Sequence, residues 1–137
     1  MGGRGASSGA RKTKNGTLLP YGSEYRSVLQ NGNIKFVLAV SGNATAPMET
    51  MTKGRIYVTL DYKNEPKFIS VYDENGKRTQ QIDLSGAPHR INGELVYPPH
   101  VHIGYEHDEK GSRKITPDEG RLIEKVNSIW TQFMKSK

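Results

Sequence analysis

Between Arg55 and Leu84, apolar and polar side chains alternate through three short runs, broken at Asn64-Glu65 and at Asn75-Gly76. Such alternation puts every second side chain on one side of an extended strand. Residues 55–61, 67–73 and 77–84 therefore read as three strands of an antiparallel meander. Asn75-Gly76 predicts a two-residue type I′ turn, because both central positions of that turn need positive φ. It sets Glu74 against Lys77, hence Ile69 against Ile82 and Val71 against Gln80. Closing the earlier hairpin at Asn64-Glu65 sets Val58 against Val71 and Leu60 against Ile69. One face of this sheet then carries Ile56, Val58, Leu60, Ile69, Val71 and Ile82 and requires a cover. The other carries Arg55, Tyr57, Thr59, Phe68, Ser70, Tyr72, Thr79 and Gln81, both polar and aromatic. That face reads equally as a binding surface or as a solvated face with strand-favouring Tyr and Thr pairs.

The cover has an explicit start. Thr116-Pro117-Asp118-Glu119 is a capping box with proline at the first helical position. Leu122, Ile123, Val126, Ile129, Trp130, Phe133 and Met134 follow at helical spacing as one broad apolar stripe. Upstream, residues 34–40 form a compact β-branched and aromatic run that predicts a buried strand, and Ser23 to Gln30 suggests a short helix capped by Ser23. Residues 41–53 read as a loop. The expectation is an α+β domain: an antiparallel sheet of about four or five strands with an amphipathic C-terminal helix on one face.

A chain of 137 residues supports one domain with a modest core. Residues 1–18 are rich in Gly, Ser, Ala, Lys and Arg and are expected to be a disordered basic tail, with the single domain spanning 19–137. The net charge of +6 belongs mostly to that tail. Arg4, Arg11, Lys12 and Lys14 leave +2 for residues 19–137. A basic tail adds sequence-independent attraction to phosphate, although such tails are more often plain solvated ends. The absence of cysteine excludes disulfides, thiolate metal sites and a cysteine nucleophile. No apolar run approaches the roughly 20 residues of a membrane span, and no signal peptide is recognisable. The expected setting is cytoplasmic, without membrane partners.

All four histidines, His89, His100, His102 and His107, fall within 19 residues. On an extended segment His100 and His102 point to the same side, and Pro98-Pro99 stiffens the approach to them. Three readings stay open. In the first, two histidines act as general base and acid in phosphodiester cleavage while Arg55 or Lys53 stabilises the phosphorane, with no cofactor. Lys53, Tyr57, Thr59, Tyr72 and Tyr105 are then the substrate-facing candidates. In the second, the segment holds a divalent metal through His100, His102, Glu106 and His107, the His-x-His-x3-Glu spacing of a cupin motif. Cupins are all-β barrels, however, and the C-terminal helix is the wrong body for one. In the third, the histidines are structural, or belong to the binding loop of a non-enzymatic accessory or interaction protein.

The opening Met1-Gly-Gly-Arg-Gly-Ala-Ser-Ser-Gly9 resembles the start of small proteins of phages and prophages of Gram-positive bacteria. In that group such a domain occurs beside, or fused to, a Mu F-like head-morphogenesis protein. Lys53-Gly-Arg-Ile-Tyr-Val-Thr59, Tyr72-Asp-Glu-Asn-Gly-Lys-Arg78, Gln81-Ile-Asp-Leu84, Pro99-His-Val-His-Ile-Gly-Tyr-Glu-His-Asp108 and Asn127-Ser-Ile-Trp130 are similar to it over most of residues 48–135. These proteins in turn look like the barnase–EndoU–colicin–RelE-like class of toxin and phage ribonucleases, in which helices cover one face of a four-stranded sheet and RNA binds the other. The resemblance implies metal-independent RNA cleavage in the bacterial host cytoplasm. His100 and His102 would be the acid/base pair, His89 and His107 supporting members, and Arg55 and Tyr57 phosphate-facing. The implied partners are RNA and a head-morphogenesis or immunity protein.

Overall fold

The meander forms because its alternation supplies one mostly apolar face, and it grows because further strands add to both of its edges. The computed structural model describes residues 6–7, 24–40, 45–85, 93–105 and 111–136, together with the main chain of 89–91. In chain order the strands are β1 (Ala6–Ser7), β2 (Tyr25–Asn31), β3 (Ile34–Ala39), β4 (Glu49–Thr50), β5 (Ile56–Leu60) and β6 (Pro66–Tyr72). They continue with β7 (Arg78–Asp83), β8 (His89–Ile91), β9 (Glu94–Val96), β10 (His100–Ile103) and β11 (Ser112–Lys114), and the helix α1 (Pro117–Lys135) ends the chain. The fold is α+β. Its main sheet has seven strands in the order β11-β10-β7-β6-β5-β3-β2, not the four or five expected. All neighbours are antiparallel except β3 and β5, which run parallel.

The larger count has two sources. Residues 25–31 pair with β3 as a strand and do not form the helix suggested for Ser23 to Gln30. Gly32, at φ +61, supplies the positive φ at the first central position of their tight turn. A seven-residue segment has little helical preference to set against a ready strand edge. The histidine run is the second source, joining β7 on one side and β11 on the other.

Both meander hairpins depart from the expected turns in the same way. Asp61 and Asp73 each begin a longer loop, with Oδ1 accepting from Lys63 and Glu65 N–H (2.8 and 3.0 Å) and from Asn75 and Lys77 N–H (2.8 and 3.0 Å). Asn64 (φ +63) and Gly76 (φ +77) take the left-handed position that closes each loop, and a register shift follows in each hairpin. This is the three-residue hairpin with a bulge in place of the two-residue type I′ turn. In the second hairpin the bulge restores the expected pairing of Ile69 with Ile82 and Val71 with Gln80. In the first, Val58 meets Ile69, two residues from the expected Val71. A slip of two keeps every side chain on its face.

The helix lies on the apolar face as anticipated. Its capping box is present: Thr116 accepts from Glu119 N–H, and the Glu119 carboxylate accepts from Thr116 N–H. The core beneath it contains Ile34, Phe36, Val58, Leu60, Ile69, Ile82, Val101, Val126 and Trp130. Trp130 stacks on Phe36 with ring centroids 5.1 Å apart, and its indole N–H donates to Asn64 O.

The opposite face is covered too. Ala6–Ser7, inside the segment expected to be a disordered tail, pair with Glu49–Thr50 and are buried; the rest of residues 1–18 lies outside the described residues. Three tyrosines bind the 45–50 segment over this face: Tyr25 to Thr45 O (2.9 Å), Tyr72 to Pro47 O (2.5 Å) and Tyr57 to Thr50 Oγ1 (2.9 Å). Gly76 is required here, because a Cβ on it would lie 2.1 Å from Thr50 O. Among the described residues no helix is long and apolar enough to cross a membrane.

Candidate metal centre

Two side chains two apart on β10 point to the same face, and pairing with β7 decides what they meet. His100 lies opposite Asp83 and His102 opposite Gln81, on the face away from the helix. Asp83 thereby stands between two imidazoles. Its Oδ2 is 2.9 Å from His102 Nε2 and 3.4 Å from His100 Nε2, and the rings are edge-on with centroids 4.9 Å apart. One ligand atom from each of the three lies within 4.8 Å of the others. His100 is 0% exposed, His102 3% and Asp83 9%.

The groups around these three fix their orientation. Ser112 Oγ is 3.0 Å from His102 Nδ1, and Gln81 Nε2 donates to Asp83 Oδ1 (2.8 Å). Gln81 is held in turn by Arg78, whose Nη1 donates to Gln81 Oε1 (2.7 Å). Burial alone would raise the Asp83 carboxyl. Hydrogen bonds from His102 and Gln81, with the charges of His102 and His100, outweigh it and hold the carboxyl below its ordinary value.

Two of the three ligand separations match edges of a coordination polyhedron. Ligand atoms about 2.1 Å from a metal stand about 3.0–3.4 Å apart in octahedral or tetrahedral geometry. The two separations at Asp83 Oδ2 are 2.9 and 3.4 Å. Two imidazoles and a carboxylate suit zinc and the divalent iron, manganese, cobalt and nickel ions, and three protein ligands leave positions open for water or substrate. The Ser112 and Gln81 contacts are the supporting hydrogen bonds such ligands carry.

The other candidates are placed differently. The side chain of His89, and all of Glu106 and His107, lie outside the described residues. Lys53 is exposed in the turn before β5, and Arg55 is half-buried beside it. Tyr57 and Thr59 are buried three strands from the histidines, about 14 Å at ordinary strand spacing. Tyr57 and Tyr72 give their hydroxyls to the covering segment, and the Tyr105 hydroxyl donates to Glu49. The structure thus brings together His100 and His102 and sets Tyr57 and Thr59 three strands away. Asp83, Arg78 and Ser112 were missed. Asp83 reads in sequence only as the end of a strand, and its role depends on the β7–β10 register.

Compared with known protein families, curated proteins and solved structures, the chain matches none.

Proposed function

We propose that the protein is a metal-dependent hydrolase whose ion is held by His100, His102 and Asp83. The observation that carries this reading is the convergence of His100 Nε2 and His102 Nε2 on one oxygen of Asp83 at ligand-to-ligand distances. His100, His102 and Asp83 would hold the ion, and the chemistry it would supply is activation of water as a nucleophile at neutral pH. The protein's part is to fix three ligands, orient them through Ser112 and Gln81, and keep bulk water away. The resemblance to phage and toxin ribonucleases makes RNA the first substrate to try, and a head-morphogenesis or immunity protein the first partner.

A second reading has its own support. His102 lies between Ser112 Oγ and Asp83 Oδ2, as an acid/base histidine oriented by a carboxylate would. This is the metal-free ribonuclease implied by the resemblance.

Metal analysis and calorimetry on chelator-stripped protein separate the two. The metal reading expects about one equivalent of zinc or manganese, lost in Asp83→Asn and His102→Ala, and hydrolysis that chelator stops. Cleavage of RNA that survives chelation, with no ion bound, would overturn it in favour of acid/base chemistry.

A further inference from the structure

Arg78 is 7% exposed. Its Nη1 and Nη2 donate to neutral acceptors, Gln81 Oε1 and Tyr105 O, each at 2.7 Å, and its buried Nε has no acceptor. Among the described residues no carboxylate forms an ion pair with it. Two described acidic groups near the pocket, Glu49 and Asp73, have partners of their own. Glu49 Oε2 accepts from Lys77 Nζ (2.9 Å) and from the Tyr105 hydroxyl, while Asp73 Oδ1 accepts the N–H groups of Asn75 and Lys77. Nor do the tyrosines near it supply charge: burial pushes the Tyr25 phenol up to about 12 and the Tyr72 phenol well above its ordinary value. A buried guanidinium that meets only neutral acceptors among the described residues is costly, and buried charges are ordinarily paired.

A pocket of about 510 Å³ opens at this residue, with Lys77, Thr79, Gly104, Tyr105 and Asp73 around it. We propose that the pocket binds the phosphate group of a phosphate ester, with Arg78 as its principal cation and Lys77 at the rim. Guanidinium and ammonium groups are the side chains that proteins use to hold phosphate oxygens. The hydrogen-bonded chain Arg78–Gln81–Asp83 links the residue at the pocket to the three-ligand centre. This deepens the hydrolase reading by naming its substrate class, yet the binding itself requires no metal.

The experiment is calorimetry on the full chain stripped of metal, with inorganic phosphate, adenosine 5′-monophosphate and a short oligoribonucleotide as probes. Saturable binding of either ester is expected, weakened at least tenfold in Arg78→Met and several-fold in Lys77→Gln. Ester binding with or without inorganic phosphate supports the proposal, and the two esters distinguish a nucleotide from a nucleic-acid source. Binding of inorganic phosphate alone, no saturable binding at all, or unchanged ester binding in Arg78→Met overturns it. To separate binding from any effect of Arg78→Met on folding, the Arg78 Nε–Hε resonance of the unaltered protein is followed during the same titration. A signal that does not move at saturation also overturns the proposal. His100→Ala should lose metal while retaining the ester, so failure of the metal reading and failure of this one are separable.

Discussion

The two faces of the seven-stranded sheet are both buried, but they are built on opposite principles. The helix side is a continuous apolar core, closed by Trp130 stacked on Phe36. The far side buries Thr59, Ser70, Arg78, Gln81, Asp83, His100 and His102 among tyrosines. Burial on the first face removes apolar area from water at roughly 25 cal/mol per Å². On the second, each polar group costs free energy unless a partner meets it. Stability therefore comes mainly from the first face, while the polar and titratable side chains are gathered on the second.

The sharpest break of this contrast is Phe36→Ala. It removes a fully buried ring from the helix-side core and should lower stability by about 3–5 kcal/mol. Urea unfolding would show it as a lower midpoint at unchanged slope. Loss below about 1 kcal/mol would mean that the helix is not the principal cover.

Acid should act chiefly on the second face. The folded state holds the Asp83 carboxyl below its ordinary value, so its contribution is complete above about pH 4 and disappears as pH falls through the lowered value. Glu119, held low first by its hydrogen bond from Arg113, adds in the same direction at the helix start. Thermal unfolding from pH 7 to pH 2 should show an acid limb that is shallower in Asp83→Asn. Superimposable limbs for the two proteins would remove Asp83 from the account.

Thr59→Val is the smallest change and tests the cost of polarity directly. Thr59 Oγ1 is buried without a hydrogen-bond partner, so an isosteric apolar side chain should leave stability unchanged or raise it by up to about 1 kcal/mol. A loss of more than about 1 kcal/mol would show that the hydroxyl has a partner.

Local sequence was enough wherever one segment carries its own instruction. The capping box at Thr116 follows from its residue types, and the parity of Ile69 and Ile82 and the shared side of His100 and His102 follow from the two-residue period of a strand. Residues 25–31 failed as a sequence reading because a segment that short takes its structure from the neighbour it pairs with. The turns failed more subtly. Asn75-Gly76 signals a tight turn, but the side chain of Asp73, accepting two main-chain N–H groups, favours the longer loop.

That loop had a consequence for the site. Its bulge sets Arg78 opposite Tyr72, on the polar face, where uninterrupted alternation would have turned it toward the helix. Taken alone, the sequence determined the α+β class, the C-terminal helix, the meander and the direction of the histidine pair. Tertiary structure decided that β10 pairs with β7 in the register that puts His100 opposite Asp83, and that Arg78 shares their face. Periodicity is a property of one segment, whereas register joins residues 17 apart in the chain. It is set only when both strands settle on one core.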